Sequence, residues 1–268
     1  MFTKLFGLVR KVHVATKDFL GTIAQPNPIP VEQLQNLIPY GLPVSKNINL
    51  ITIGRTAYIV QYDPLAKIPA CVSWTLTPEH SIAVVKRSDS FAPDYSLQPA
   101  QRASLADYES IAKTCDRGHN ISCESGGYDI PTERQTFYLS NMTGQCFQLN
   151  RGNWKVLEVT ERAWTKELNL TLAFFTGPVY NKDSKTFGVN KVVMPDGYFK
   201  IIVRPDNNQA LAFYYPNEIP TSDDISNYQT TVADIETKTG LTFNLKDDKT
   251  IKNPIWTVNI KEYDQDRK

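Results

Sequence analysis

The chain has 268 residues, of which 41% are hydrophobic and 11% aromatic, and this composition excludes an intrinsically disordered protein. With 29 basic and 28 acidic residues the formal net charge is +1, which is poor support for a histone-like nucleic-acid binder. The length allows one large domain or two small ones, and we expect one compact domain over residues 51–260, with an N-terminal arm over 1–50 and a charged tail over 261–268.

The first twenty residues place basic side chains among apolar ones. Phe2, Leu5, Phe6 and Val9 fall on one helical face, a pattern shared by membrane-surface helices, transit peptides and ordinary packing helices, and we favour a packing helix or arm. Lysine and arginine interrupt any signal-peptide core, and no apolar run approaches the roughly eighteen residues of a transmembrane helix. We therefore expect a cytoplasmic protein.

The next segments predict an extended arm followed by strands. Alternate prolines at 26, 28 and 30 exclude a helix and favour an extended path. Tyr58–Tyr62 and Ala70–Leu76 alternate and carry β-branched residues, so we expect two strands joined by a loop. Helical spacing of apolar residues then predicts a helix over Gln98–Lys113, which delivers the chain to Asp116.

Residues 116–168 are predicted to contain a strand or turn, a loop, a second strand and a long helix. The run Asp116-Arg117-Gly118-His119 lies at the strand or turn, and Cys123–Pro131 carries a glycine pair typical of a loop. We predict a strand over Phe137–Ser140 that ends at Asn141, and a helix over Leu149–Leu168.

The predicted long helix places Asn150 and Glu158 eight residues apart. A regular helix would rotate about 80° and rise about 12 Å over that interval, so one metal ion would not bond both side chains directly. Because helical side chains lean toward the N-terminus, Glu158 could instead hold a metal-bound water. The structural alternatives for Glu158 are a surface carboxylate or a partner for Arg162 at i+4.

The C-terminal half predicts further strands and one helix. Leu172–Tyr180 and Ala210–Tyr215 are apolar strands, and Val189–Met194 and Tyr198–Val203 flank Pro195-Asp196-Gly197, which predicts a hairpin. A helix over Tyr228–Gly240 should end at its glycine.

The chemistry-bearing residues of the window 116–158 suit metal-assisted attack on a phosphate ester. His119 is a base that titrates near neutral pH, and Arg117 offers a planar set of donors that matches phosphate oxygens. The carboxamide oxygen of Asn150 is a hard neutral ligand of the kind Mg²⁺ accepts. Basic residues available for a local groove are Lys86, Arg87, Arg102, Lys113, Arg117, Arg134 and Arg151.

Three runs in this window carry a family resemblance. Asp116 to His119, Phe137 to Thr143 and Leu149 to Glu158 together resemble the DNA/RNA non-specific endonuclease family, in the order and approximate spacing of its motifs. The similarity spans roughly residues 58–245. It implies an α+β protein with the ββα-metal nuclease fold, in which a central, mostly antiparallel sheet is flanked by helices.

The resemblance also implies an activity and a set of site residues. It implies a Mg²⁺-dependent endonuclease, with Mn²⁺ as a possible substitute, that hydrolyses DNA and RNA to 5′-phosphate and 3′-hydroxyl ends, and a possible homodimer. His119 would be the base, Asn150 the metal ligand, Glu158 the residue that holds a metal-bound water, and Arg117 a stabiliser of phosphate charge. By their positions, Asn141 would shape the site and Arg87 contact phosphate; the structural alternatives are a turn-satisfying Asn and a solvated surface Arg.

Two departures from the family pattern and two rival interpretations stay open. Asn120-Ile121-Ser122 and Gly144 stand where relatives often have other residues, which puts the shape of the substrate groove in doubt. One rival is an inert nucleic-acid-binding or structural module of the same fold. The other is a zinc set built from Cys115, His119, Cys123 and Cys146, against which stand the neighbouring glycines and the absence of a CxxC pair. Inert packing of the cysteines is favoured over regulation by thiol oxidation.

Overall fold

The structure is a computed structural model that describes residues 25–46 and 49–257. The amphipathic face predicted at Phe2, Leu5, Phe6 and Val9, and the charged tail at 261–268, lie outside the described residues. Among the helices within the described ranges, none has the length and apolar character needed to cross a bilayer.

The described residues form short strands in the N-terminal part and longer ones in the centre. The strands are β1 (Val44–Ser45), β2 (Ile51–Gly54), β3 (Ile59–Asp63), β4 (Ile68–Leu76), β5 (Cys115–His119), β6 (Met142–Cys146), β7 (Leu172–Val179), β8 (Thr186–Phe187), β9 (Val192–Val193), β10 (Gly197–Val203), β11 (Ala210–Pro216), β12 (Gln229–Thr230) and β13 (Leu241–Thr242). The α-helices are α1 (Leu105–Glu109), α2 (Ile130–Thr136), α3 (Phe147–Leu149), α4 (Lys155–Glu167) and α5 (Val232–Thr239). Single 3₁₀ turns lie at Val31–Gln33, Gln35–Leu37, Pro78–His80, Pro99–Gln101, Leu139–Asn141 and Ile225–Tyr228, and a π-helical turn at Asn150–Trp154.

Seven of these strands form one antiparallel sheet in the order β12-β11-β10-β7-β4-β3-β2. The expected fold, a mostly antiparallel central sheet flanked by helices, is confirmed. The strands predicted at 58–62, 70–76, 172–180, 198–203 and 210–215 are all present with slightly shifted ends.

The central strands are apolar on both faces because the sheet is covered on both sides. Phe174 and Trp74 stack at 4.7 Å between ring centroids on the face covered by α4, while the next residue, Phe175, packs on the face covered by α5. The helix α5 ends as predicted, with Gly240 in the left-handed conformation at φ 68°.

A buried ion pair joins the sheet to α4. Lys200 of β10 donates from Nζ to Glu161 Oε2 of α4 at 2.6 Å, and both side chains are fully buried. The Lys200 ammonium also lies 4.8 Å from the centroid of the Trp154 ring. A charge in this position fixes how α4 sits on the sheet, because each partner would otherwise be left buried and unpaired.

The strand predicted at Phe137–Ser140 is wrong. The chain instead forms helix α2, then a 3₁₀ turn over Leu139–Asn141, and the strand β6 begins only after Asn141. The helix begins because Asp129 accepts a hydrogen bond from the Thr132 N–H and Pro131 occupies the first turn. A short apolar run does not distinguish a strand from a buried turn, and here the preceding helix decides.

The hairpin predicted around Pro195-Asp196-Gly197 is also wrong. Val192–Val193 pairs with Thr186–Phe187, whereas β10 begins at Gly197 and pairs with β7 and β11. Gly197 is needed there because a Cβ would lie 2.6 Å from the Tyr214 ring.

The helix predicted over Gln98–Lys113 is reduced to a 3₁₀ turn and the five-residue α1, which starts at a capping box of Ser104 and Asp107.

Part of the predicted N-terminal arm packs on the sheet. Leu34, Leu37 and Ile38 are buried against Ile59, and β1 pairs antiparallel with β13. The domain limits stay a prediction, but residues 31–45 contribute to the packed core.

We predict that Lys200→Met lowers the free energy of unfolding by about 3–5 kcal/mol, because the buried Glu161 carboxylate loses the ammonium group that donates to it at 2.6 Å. Urea denaturation of the single variants Lys200→Met and Glu161→Leu and of the double variant would measure the coupling. The free energy of unfolding lost in the double variant should be clearly smaller than the sum of the losses in the two single variants. Strictly additive losses would contradict the prediction.

Candidate active site

The run Asp116-Arg117-Gly118-His119 belongs to strand β5, which pairs antiparallel with β6. The register places Gly118 opposite Thr143 and His119 opposite Met142. A Cβ at position 118 would collide with the Gln145 side chain, so the glycine allows the two strands to pair closely. The prediction that this run lies at a strand or turn is confirmed.

A cleft of about 630 Å³ opens beside β5 and the start of α4. It brings together five of the six predicted site residues, namely Arg87, Arg117, His119, Asn150 and Glu158. The other lining residues are Asp89, Phe91, Asp116, Ser122, Cys123, Glu124, Arg151, Lys155 and Arg162. The cleft is therefore rich in both cations and carboxylates, as a site for a phosphate and a metal ion requires.

His119 lies between aromatic rings at the wall of the cleft. Its imidazole meets Phe137 edge-on at 4.9 Å between centroids, and Phe91 lies 5.8 Å away. Its Nε2 atom is buried and has no hydrogen-bond partner. Burial, followed by the positive charge of Arg87, lowers the pKa of His119 to about 3, so the imidazole is neutral at physiological pH and has a lone pair available.

The Asp116 carboxylate fixes Asn150 in the cleft. Asp116 Oδ2 accepts from Asn150 Nδ2 at 3.0 Å and from Arg151 Nε at 2.8 Å, and Oδ1 accepts from Arg151 Nη2 at 2.8 Å. Since the amide nitrogen of Asn150 faces Asp116, its carbonyl oxygen is left for another ligand. A second link holds the same turn, because Trp154 Nε1 donates to the His119 carbonyl at 3.3 Å.

The predicted regular helix between Asn150 and Glu158 is wrong. Asn150–Trp154 forms a π-helical turn with a kink at Gly152, where φ is −104° and ψ is −111°, and the regular helix α4 begins at Lys155. The rotation and rise of an ideal helix therefore do not apply to the pair Asn150 and Glu158. The kink lies at a glycine, next to the two residues that Asp116 binds, and apolar periodicity reports neither feature.

Glu158 lies in the first turn of α4 with its Oε1 atom buried and without a hydrogen-bond partner. The predicted alternative of an ion pair with Arg162 does not occur among the described residues. Burial raises the pKa of Glu158 from 4.5 to about 8, although the charge of Lys200 opposes that rise. A cation bound nearby would stabilise the ionised carboxylate.

Arg117 and Arg87 line the cleft beside His119 in different environments. The Arg117 guanidinium lies 4.0 Å from the Phe91 ring centroid and makes no hydrogen bond with any described residue, and burial lowers its pKa. Arg87 lies 5.1 Å from the Phe137 ring centroid and donates to Asp89 Oδ1 at 2.7 Å. Both are therefore held beside His119 with donors available for an anion.

Sequence reasoning did not identify Arg162 as a site residue. It is buried on α4, lines the cleft, and donates weakly to Ser122 Oγ at 3.5 Å. Its position one helical turn after Glu158 could have indicated a site residue, but the same spacing is equally typical of an ion pair on the surface of a helix.

Asn141 does not line the cleft. It is fully buried, its Nδ2 donates to the carbonyls of Ile121 and Thr136 at 3.0 and 2.8 Å, and its Oδ1 accepts from the Ile121 N–H at 3.1 Å. These bonds tie the end of α2 to the residues that follow His119. This geometry matches the structural alternative, an Asn that satisfies the backbone groups of a turn. Asn141 therefore affects the site only by holding the backbone that follows His119 in position.

The cysteines do not form the alternative zinc set. Cys115 and His119 lie on a strand, where four residues span about 13 Å, and Cys115 faces Cys146 across the ladder. All four cysteines are free, and within the ranges the structure describes no three His, Cys, Asp or Glu side chains converge as a metal site. The zinc interpretation required a helix that is absent.

Asn150 and Glu158, by contrast, fit a hard divalent cation that keeps most of its waters. The Asn150 carbonyl oxygen is oriented by Asp116, and the unpartnered Glu158 Oε1 is an acceptor without a donor. Mg²⁺ needs few direct protein ligands, so this donor set suits it better than it suits zinc.

Comparisons with known proteins agree with this geometry. Residues 35–249 match the family model described as DNA/RNA non-specific endonuclease. The chain is 32% identical over 213 residues to Nuclease C1 of Cunninghamella echinulata var. echinulata, covering 71% of this chain and 81% of that protein. It is 30% identical over 209 residues to a nuclease of Serratia marcescens, covering 75% and 77%. A solved structure of an EndoG/EndoGI complex matches with a TM-score of 0.71 and 25% identity, covering 85% of this chain and 97% of that one.

We predict that Glu158 makes the metal-free protein less stable as the pH rises from about 4.5 to 8. In this window the unfolded chain releases the Glu158 proton and the folded chain keeps it, so the folded state binds more protons and loses stability with rising pH. Glu158→Gln should therefore gain several degrees in Tm over the parent at pH 8 in EDTA and almost nothing at pH 4.5.

Thermal unfolding across this pH range would measure the difference. Glu32→Gln, at an exposed glutamate, serves as the matched control and should show no such trend. A Tm difference between Glu158→Gln and the parent that stays constant with pH would contradict the prediction.

Proposed function

Because the chain belongs to the DNA/RNA non-specific endonuclease family, we propose that its cleft hydrolyses phosphodiester bonds of DNA and RNA with His119 as the general base and Asn150 as the protein ligand of Mg²⁺. The protein is a nuclease and thus a phosphodiester hydrolase. One observation supports these roles most directly: a neutral imidazole, an oriented Asn carbonyl and two arginines share one cleft.

His119 would take a proton from the attacking water. Its neutral state at physiological pH leaves a nitrogen lone pair that can accept this proton as the new P–O bond forms and the bond to the 3′-oxygen breaks. The departing 3′-oxygen would take a proton from solvent water. The products are a 5′-phosphate and a 3′-hydroxyl. The hydrogen bond from Trp154 Nε1 to the His119 carbonyl holds the backbone of His119, and the edge-on contact with the Phe137 ring positions the imidazole.

Substrate binding would strengthen the base. The positive charges of Arg87 and Arg117 both lower the pKa of His119. Burial is the largest cause of the low pKa of His119, and it would remain when a substrate binds. A phosphodiester anion held by these guanidinium groups would offset only the part of the lowering that their charge causes.

A divalent cation held in this cleft, Mg²⁺ or Mn²⁺, which accepts the same oxygen ligands, would supply positive charge that stabilises the negative charge developing as the phosphodiester is cleaved. Asn150 would bind the ion through its carbonyl oxygen, and Glu158 would accept a hydrogen bond from one of its waters. Asp116 keeps the Asn150 amide turned so that its oxygen is available.

The side chains of the cleft would contact the sugar-phosphate backbone of a substrate more than its bases. The groups gathered around His119 are guanidinium, carboxylate and amide groups that suit phosphate and a metal ion. Contacts of this kind position a nucleic acid without selecting a sequence, which supports acceptance of both DNA and RNA.

An inert module of the same fold stays the alternative, and a homodimer stays a prediction. The first is separated from an enzyme by the cleavage assay below. The second is separated from a monomer by the molar mass from light scattering.

We predict that His119→Ala lowers cleavage of plasmid DNA and of RNA by about 10²–10⁴-fold in Mg²⁺, because the water loses its proton acceptor. His80→Ala is the matched control, since His80 is an exposed histidine outside the cleft, and it should cleave like the parent. Undiminished cleavage by His119→Ala would remove His119 from the mechanism, and no cleavage by the parent would support the inert module.

We predict that Asn150→Ala and Asp116→Ala both weaken binding of the metal ion, by on the order of 10–100-fold for Asp116→Ala, because it orients the ligand without touching the ion. Titration of Mn²⁺ followed by electron paramagnetic resonance measures this binding without relying on activity. His119→Ala should bind Mn²⁺ like the parent. Unchanged Mn²⁺ affinity in Asn150→Ala would contradict the ligand assignment.

A further inference from the structure

A second pocket of about 480 Å³ lies on the other side of one wall of the catalytic cleft. The wall is the segment Arg87–Ala92, defined here as the partition. Its odd-numbered residues Arg87, Asp89 and Phe91 line the cleft, and its even-numbered residues Ser88, Ser90 and Ala92 line the second pocket. The alternation holds although the segment is not a regular strand, because Asp89 in its middle has a left-handed φ of 51°.

We propose that this second pocket binds a nucleoside unit of the substrate strand adjoining the scissile phosphate, with Arg134 contacting the phosphate of that unit. The proposal rests on the nuclease function given above and extends it to a neighbouring subsite. The full lining is Gln25, Pro26, Ser88, Ser90, Ala92, Ile130, Pro131, Arg134, Gln135 and Tyr138.

The apolar part of the pocket suits the face of a base or sugar. Pro26, Ala92 and Pro131 are apolar, and Ile130, also in the lining, is 57% exposed although it is a large hydrophobic residue. An exposed aliphatic side chain at the edge of a pocket gives a flat apolar surface that tolerates any base.

The polar part of the pocket suits a phosphate and sugar hydroxyls. The hydroxyls of Ser88 and Ser90 lie 2.8 Å apart, and the exposed Arg134 guanidinium has no hydrogen-bond or ion-pair partner among the described residues. Arginine has a planar set of donors that matches phosphate oxygens. A free guanidinium next to an apolar surface is complementary to a nucleotide, which carries both an anionic phosphate and an apolar base.

Part of the pocket is built from side chains and backbone that are already held in place, at Gln135, Ser88 and Tyr138. Gln135 donates from Nε2 to Thr56 Oγ1 at 3.0 Å and accepts from the Thr56 N–H at 2.9 Å, while the Ser88 N–H donates to Glu133 Oε1 at 2.8 Å. The Tyr138 ring is covered on one face by the Arg55 guanidinium at 4.8 Å. Little ordering is therefore needed when a ligand enters.

Continuity with the catalytic cleft identifies the occupant. The two cavities share the partition as a common wall, so a strand whose phosphate lies beside His119 would pass over this one segment to reach the second pocket. A second copy of this chain is the competing occupant, and the experiment below distinguishes it.

The test compares long and minimal substrates. In Arg134→Ala, kcat/KM on a single-stranded oligonucleotide should fall about tenfold, while hydrolysis of bis(4-nitrophenyl) phosphate, which is too small to span the partition, should be unchanged. The slope of log affinity against log salt should become shallower by about 0.7, the contribution of one phosphate contact on a single strand. Ile130→Ser should also lower kcat/KM on the oligonucleotide and leave the salt slope unchanged.

Two controls make the comparison specific. Lys246→Ala removes one positive charge at an exposed residue outside both cavities and should behave like the parent on both substrates. Arg134→Lys keeps the charge and should retain most of the salt slope.

Fluorescence anisotropy of the oligonucleotide in EDTA gives a readout that does not depend on turnover. Equal affinity for the parent and Arg134→Ala, or an equal loss on the minimal substrate, would overturn the proposal. A change in molar mass by light scattering without a change in oligonucleotide affinity would assign the pocket to self-association and overturn it too. Failure of the parent to cleave either substrate would count against the nuclease function, and the anisotropy comparison would still decide the pocket.

Discussion

The site depends on the hydrogen bonds that the Asp116 carboxylate accepts. This carboxylate comes from strand β5, and its hydrogen bonds to Asn150 and Arg151 reach the irregular turn that precedes α4. His119 lies three residues further along the same strand. The proposed base and the proposed metal ligand therefore belong to different elements, and the carboxylate sets the distance between them. The Trp154 bond to the His119 carbonyl closes the same connection from the other side.

Behind the site lies a layer of charge that the near-neutral composition of the chain conceals. Glu158, Glu161 and Arg162 follow one another on α4, and Lys200 reaches them from the central sheet. Burial raises the pKa of Glu158, while the Lys200 ammonium opposes the rise. A buried charge cluster of this kind costs stability, and its retention beside a cleft is the pattern of a site tuned for chemistry. Net charge alone gives no sign of it.

The sequence was sufficient for the sheet and for the residue types of the site, and insufficient for local backbone geometry. Strands such as β7 and β10 are buried on both faces, so their nearly continuous apolar runs are legible. Phe137–Ser140 is equally apolar, but the capped helix before it and the three hydrogen bonds of Asn141 make it a turn. The kink at Gly152 interrupts the helix between Asn150 and Lys155, and apolar spacing does not report it. Arg162 was hidden for the same reason: only the fold shows which side of α4 meets the cleft.

The alternation along the partition makes its length more restrictive than its composition. Six consecutive residues serve two cavities by turn, so replacing one of them alters one cavity only. Inserting or deleting a single residue would instead shift these side chains relative to both cavities, so that Arg87, Ser88 and Ser90 would all lose their present positions. Single substitutions at Ser88, Ser90 or Ala92 can therefore change the second pocket while the side chains beside His119 stay in place.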